Sequence, residues 1–226
     1  MQPKTFVINL KHRIDRRRQM QTQLSRVGWS AEFFDAIHPS TAADFPSIGA
    51  RGCFLSHLAV LEKARDAGLP RVVILEDDVN FCADFANRWA VAMAAIAHFK
   101  WSVFYPGHIL QSPTSGLARL DPSTSIQCTH FMMVDGSAIG HVIEGLKEIL
   151  SRPAGHPRGG PMHVDGAYST VRAQNAALIT YAFFPVLGYQ RPSRTDIGDL
   201  KWFDRNRALA PAVKIARRIR TLMHAR

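Results

Sequence analysis

The sequence predicts an α/β fold with a mostly parallel central sheet, and three observations carry that expectation. Short runs rich in β-branched and aromatic residues alternate with segments of helical period from residue 5 to residue 105. Gly28, Gly68 and Pro70 stand where those segments must end. The run from Arg71 to Val79 is an apolar strand that stops on Glu76, Asp77 and Asp78. Open α/β sheets present ligand-binding groups in this way, at the carboxyl ends of their strands.

Residues 5–10 read as a first strand, followed by a helix over 16–27 with Asp15 at its N-cap and Gly28 at its end. A short strand is predicted at 32–36 and a polar loop from His38 to Gly52. Ser56 is the predicted cap of a helix running to Ala67, with Leu58, Leu61 and Ala64 on one face. After the carboxylate strand, Phe85, Trp89, Ala92 and Ile96 recur at helical spacing within 81–99, and 101–105 reads as a strand. This alternation makes the first half Rossmann-like, with helices on both faces of the sheet.

The second half is less regular. Residues 107–125 are rich in Gly, Pro, Ser and Thr and longer than a simple connection, which suggests a substrate-facing loop or lid. A strand at 126–134, a helix at 137–150, a loop at 152–161, a helix at 164–174 and a strand at 177–185 follow, and 188–200 reads as irregular. Ala212, Ile215, Ala216, Ile219, Leu222 and Met223 fall on one helical face, with Lys214, Arg217, Arg218 and Arg220 on the rest. Such a basic amphipathic helix suits either an anionic membrane surface or docking on the body. The expected organisation is one domain over 1–200 and this tail over 201–226.

The formal net charge of +10 is unevenly placed. Residues 1–18 hold six Lys/Arg and one acid, residues 201–226 hold eight and one, and the body between them holds fourteen against sixteen. A groove for a polyanion draws cations from across the fold and interleaves them with aromatics, so no nucleic acid is expected as a partner. Cys53, Cys82 and Cys128 are too few and too scattered for a disulfide framework or a zinc motif and read as core residues. His156 and His163 read as loop histidines. The N-terminus lacks a signal sequence, and no apolar stretch is long enough to span a bilayer, which predicts a cytoplasmic chain, peripheral on the inner face of the membrane through its tail.

Three adjacent acids repel one another, and a bound divalent cation offsets that cost. The competing reading is that they cap the next helix or face water. Arg13, Arg16, Arg17 and Asn9 lie at the end of the first strand and the turn after it, where a diphosphate lies in such folds. The alternative there is a solvated helix face. Ser56 and His57 open a predicted helix whose N–H groups can meet an anion, though capping alone also explains Ser56.

Four segments together resemble glycosyltransferase family 25, the lipooligosaccharide and collagen galactosyltransferase-like family. They are Phe6-Val-Ile-Asn-Leu-Lys-His-Arg-Ile-Asp-Arg-Arg17; Phe33-Phe-Asp-Ala-Ile37; Gly52-Cys-Phe-Leu-Ser-His-Leu58 running on to Ile74-Leu-Glu-Asp-Asp78; and, more loosely, His163-Val-Asp165 with Gln190 and Ser193-Arg-Thr-Asp-Ile197. Each is weak alone, but their order spans residues 5–197.

The resemblance implies a GT-A-like fold that transfers a hexose, galactose or glucose, from a UDP-sugar with inversion. It implies a lipopolysaccharide or other lipid-linked oligosaccharide acceptor and Mn²⁺ or Mg²⁺ as cofactor. Asp78 is the first choice as metal ligand, with Glu76 and Asp77 beside it, one of which is a candidate contact of the ribose. Asn9, Arg13, Arg16, Ser56, Gln190 and Asp196 are the donor-binding candidates, with His57 assigned to the active site. Asp165 is the candidate base for the acceptor hydroxyl, with helix capping as its competing role. A metal-dependent phosphohydrolase or nuclease, and a non-catalytic nucleotide-sugar-binding module, are the alternative readings.

Overall fold

A computed structural model of the chain describes residues 2–112 and 114–191. Its main sheet has seven strands in the order β2-β1-β3-β7-β5-β8-β6. These are β1 (Lys4–Asn9), β2 (Glu32–Asp35), β3 (Arg71–Glu76), β5 (Val103–Gly107), β6 (Gly116–Leu120), β7 (Phe131–Asp135) and β8 (Thr180–Phe184). β4 (Val79–Phe81) and β9 (Gly188–Gln190) form a separate antiparallel pair. Five of the seven main strands run in one direction. β7 enters antiparallel between β3 and β5, and β6 lies antiparallel on the edge. The predicted fold class, α/β with a mostly parallel sheet, is the one found.

Helices cover both faces, as side-chain alternation along the strands requires. Phe6, Ile8, Val72 and Ile74 pack with α2 (Ile48–Asp66), α4 (Gly136–Leu150) and α5 (Val164–Gln174). Val7, Val73 and Leu75 pack with Met20 and Leu24 of α1 (Ile14–Arg26) and Phe85, Ala92 and Ile96 of α3 (Phe85–Ile96). Trp29, Phe81, Phe85, Trp89 and Phe131 stack into an aromatic cluster on this second face, with ring centroids 4.5 to 6.3 Å apart in the contacting pairs.

The helix ends correct three expectations. Arg13, not Asp15, occupies the N-cap of α1, and Asp15 sits in the first turn, where a carboxylate complements the helix dipole. Ser47, not Ser56, caps α2, its side chain accepting from the Ala50 N–H. His163 occupies the N-cap of α5, so Asp165 lies inside the first turn. Gly28 and Gly68 end α1 and α2 as expected, in the left-handed conformation with φ of 69° and 60°.

Three short strands were hidden by their context; one is β4, whose Val79 reads as the end of the run from Arg71 and whose Phe81 reads as the start of the helical stretch at 81–99. β6 lies within the stretch read as loop or lid, and β9 lies within the stretch read as irregular; neither carries a long apolar run. The strand expected from residue 126 begins only at Phe131. The tail helix, residues 201–226 as a whole, and Asp196 lie outside the described residues.

Candidate active site at the carboxyl ends of β1 and β3

Strand alternation separates the three acids. Glu76 continues the row of Val72 and Ile74 toward α2 and α5, and Asp77 continues that of Val73 and Leu75 toward α1. The chain then leaves the main sheet through the turn at Asp77 and Asp78 and enters β4, whose partner β9 carries Gln190 back over the turn, with Val79 paired to Gln190.

Both carboxylate oxygens of Asp77 accept from buried side chains of the protein. Asn9 Nδ2 donates to its Oδ2 at 2.7 Å and Arg16 Nη1 to its Oδ1 at 2.7 Å. Asn9 is 1% exposed and the Arg16 side chain 11%. A buried pair of this geometry neutralises one of the three negative charges without any ion.

Asp78 is arranged differently. Its Oδ2 accepts from Gln190 Nε2 at 3.2 Å and lies 3.7 Å from Arg16 Nη1. Its Oδ1 is buried with no hydrogen-bond partner among the described residues. Burial, followed by the charges of Glu76 and Asp77, raises its pKa to about 7 against the attraction of Arg16 and Arg191. An unsatisfied buried carboxylate oxygen is costly, and a cation satisfies it.

Glu76 faces the other way. Its Oε1 accepts from Thr129 Oγ1 at 3.0 Å and lies 3.7 Å from His57 Nε2. Burial opposes its ionisation, but His57, His130 and Thr129 outweigh burial and hold its pKa below the usual glutamate range. His57 is completely buried, and its Nδ1 lies 3.3 Å from the Tyr168 hydroxyl.

Asp165 reaches the same region from α5. Cys128 N–H donates to its Oδ2 at 3.2 Å and Gly166 N–H to its Oδ1 at 2.8 Å. Each oxygen keeps a second lone pair. Cys128 has φ of 69°, a left-handed backbone that only Gly and Asn adopt readily, and its Sγ lies 3.7 Å from Gln190 Oε1. This turn places Thr129 on Glu76 and the Cys128 N–H on Asp165.

The structure thus brings together Asn9, Arg16, His57, Glu76, Asp77, Asp78, Asp165 and Gln190. Arg13 and Ser56 are arranged otherwise than expected. The Arg13 backbone oxygen accepts from Asn9 Nδ2 at 3.3 Å, and its guanidinium pairs with Asp15 in two contacts of 3.0 Å. Ser56 lies inside α2, so no helix N-terminus meets an anion there. Its buried Oγ donates to Gly52 O at 2.6 Å and accepts from Ile37 N–H at 2.8 Å, pinning the loop after β2 to the helix. Gly52 serves the same junction, since a Cβ there would lie 2.5 Å from Ile37 O.

Arg191 was not anticipated from the sequence, although it follows Gln190. Its N–H donates to Asp78 O at 2.7 Å, its Nη2 to Asp77 O at 3.1 Å and its Nη1 to Asn80 Oδ1 at 3.0 Å. Thr129, Tyr168 and Cys53 were also missed as neighbours of the acids. Thr129 comes from a segment with no motif for this site, whereas Cys53 lies in the Gly52–Leu58 segment and Tyr168 three residues after Asp165, where neither residue type marked itself as functional.

Comparison with known proteins places this arrangement in context. The model of glycosyltransferase family 25 (LPS biosynthesis protein) matches residues 2–48 and 45–113. The chain is 30% identical over 136 residues to mouse inactive glycosyltransferase 25 family member 3, covering 50% of this chain and 23% of that protein. It is 28% identical over 125 residues to mouse procollagen galactosyltransferase 2, covering 45% of this chain and 20% of that protein. The chain therefore spans a quarter or less of the length of these relatives. Among solved structures, a glycosyltransferase involved in the glycosylation of the major capsid of PBCV-1 matches at 11% identity and TM-score 0.40, covering 85% of this chain and 95% of that chain.

Proposed function

The chain belongs to glycosyltransferase family 25, and on that premise we propose that it transfers a hexose, galactose or glucose, from a UDP-sugar to a lipid-linked oligosaccharide such as a lipopolysaccharide core. The observation that carries the reading is the buried, unpartnered Asp78 Oδ1 at the carboxyl end of the sheet. Asp78 and Glu76 supply oxygen donors of the kind Mn²⁺ and Mg²⁺ prefer, and they are the residues that would hold such an ion. A bound divalent ion would neutralise charge developing on the diphosphate leaving group.

The protein's own groups have separable roles. Arg16 and Asn9 fix Asp77 and thereby the turn that carries Asp78. Gln190 orients the Asp78 carboxylate. Arg191 stiffens the turn from the opposite strand and adds positive charge beside it. Asp165 is the base in this scheme: its free lone pairs accept the proton of the acceptor hydroxyl as that oxygen attacks the anomeric carbon, which gives inversion. The acceptor's lipid anchor fits a membrane role for the basic tail at 212–226, and with it a cytoplasmic, membrane-peripheral location.

A thermal-shift panel of UDP-, GDP-, ADP- and CMP-sugars with and without Mn²⁺ tests the donor. Metal-dependent stabilisation by a UDP-sugar, lost in Asp78→Ala, is the expected outcome. Stabilisation by no nucleotide would remove the reading. Binding without sugar release, with an acceptor present, would identify a non-catalytic module, a possibility raised by the inactive relatives. Release of phosphate from simple esters would identify a hydrolase. Deleting residues 212–226 is expected to weaken binding to anionic liposomes while sparing donor hydrolysis; unchanged liposome binding removes the membrane role.

A further inference from the structure

Cys53 and His57 are four residues apart on α2, so their side chains share one helical face. That face meets the end of β3, and Cys53 Sγ, a ring nitrogen of His57 and a Glu76 carboxylate oxygen all lie within 4.8 Å of one another. Three ligands of tetrahedral zinc stand roughly 3.3–3.6 Å apart, given metal–ligand bonds of about 2.0–2.3 Å. Rotamer adjustments well under 2 Å close the difference.

A second observation points to the same place. His57 is 0% exposed, and its Nε2 is buried without a hydrogen-bond partner among the described residues, with Glu76 Oε1 at 3.7 Å. Its other nitrogen, Nδ1, faces the Tyr168 hydroxyl at 3.3 Å. This is the arrangement of a metal-binding histidine, whose far nitrogen is held by an outer partner while the near one is left for the ion. Cys53 and Glu76 are each partly exposed.

From this geometry we propose that Cys53, His57 and Glu76 form a site for a thiophilic divalent ion, zinc above all, that shares Glu76 with the oxygen-ligand site proposed at Asp78. The thiol is the discriminating ligand. Mg²⁺ and Mn²⁺ favour carboxylates and water, whereas zinc and cobalt accept thiolate and imidazole together. Three protein ligands leave a fourth position for water. Binding releases the Cys53 proton to solvent and exchanges water ligands of the hydrated ion for metal–sulfur, metal–nitrogen and metal–oxygen bonds, with no change of oxidation state. Burial and the nearby carboxylates hold the Cys53 thiol well above its ordinary pKa, and the same negative surroundings attract a dication. The ion and the proton therefore compete, and affinity rises with pH. Glu76 also borders the Asp78 turn, so zinc bound here withdraws one oxygen ligand from that turn.

The test is titration of the full, reduced chain with Co²⁺, without nucleotide, reading the near-ultraviolet thiolate-to-cobalt charge-transfer band. One equivalent is expected to saturate the band, zinc to abolish it, and excess Mg²⁺ to leave it. Cys53→Ser should remove the band, while Cys128→Ser and Cys82→Ser retain it. His57→Gln, checked for native circular dichroism, should weaken cobalt binding by at least the roughly 10–100-fold that follows loss of an outer-shell partner. Absence of a band in the unmodified chain overturns the proposal, as does a band that survives Cys53→Ser. Because the readout involves no donor, failure here is distinguishable from failure of the transferase reading.

Discussion

Replacing Arg16 by Met tests whether Asp77 is held by the protein rather than by an ion. The Arg16–Asp77 contact is 2.7 Å, with side chains 11% and 8% exposed. At an effective dielectric of about 20 the gross attraction is about 6 kcal/mol, most of it offset by the cost of burying both charges. Removing only the guanidinium leaves the cost of burial unbalanced, although Asp77 keeps Asn9 as a side-chain donor. Arg16→Met should therefore destabilise the chain by about 3–5 kcal/mol. Asp77→Asn removes the charge but keeps the shape, and Arg16 still has Asp78 at 3.7 Å, so a smaller loss of about 1–3 kcal/mol is expected. The double variant should resemble Asp77→Asn, giving a coupling energy of about 3–5 kcal/mol, the whole of the Arg16→Met loss. Urea unfolding of all four proteins in chelator, with equal m-values, measures it. A loss below about 1 kcal/mol for Arg16→Met, or additivity within about 0.5 kcal/mol, would refute the reasoning.

Asp78 should give the metal-free protein a pH-dependent stability. Its folded pKa of about 7 lies above the ordinary 3.8, so the folded chain binds the proton more tightly; the contribution is complete below about pH 4 and is lost as pH rises through 7. Asp78→Asn should flatten that slope in chelator, and an unchanged slope between about pH 4 and 7 would assign it to other groups. Ser47→Ala removes the cap of α2 and should cost about 1 kcal/mol in urea unfolding. Gly52→Ala drives a methyl toward Ile37 O and should cost about 1–3 kcal/mol, whereas a neutral result would show that the loop yields. With Mn²⁺ and a UDP-sugar, Asp77→Asn should keep a thermal shift that Asp78→Asn loses, because both Asp77 oxygens already have protein donors.

Local pattern made the frame of this fold legible. The apolar runs at β1 and β3, the helical periods of α1, α2 and α4, and the glycines at 28 and 68 depend on contacts within a few residues, which is what period and capping report. Helix starts were less legible. Ser56 satisfies the composition rule for a cap, but Ser47 is the residue that does the capping, nine positions earlier. The intervening Gly52 and Cys53 give no apolar stripe to reveal that turn of helix. β6 and β9 escaped because a strand of three to five residues is specified by its partner across the sheet rather than by its own sequence.

The residue types of the candidate site were also visible in the sequence: consecutive acids at a strand end, arginines after the first strand, and an aspartate in the first turn of α5. Sequence alone determined that these groups belong near one end of an α/β sheet. Their division of labour was decided by tertiary packing. Alternation along β3 turns Glu76 toward α2 and Asp77 toward α1, and only the fold supplies Arg16 and Asn9 to one and His57 and Thr129 to the other. The partners of Asp77 and Asp78 lie 61 to 114 residues away in sequence. Contacts at such separations leave no periodic trace, because they are selected by the closure of the whole sheet rather than by any neighbour along the chain.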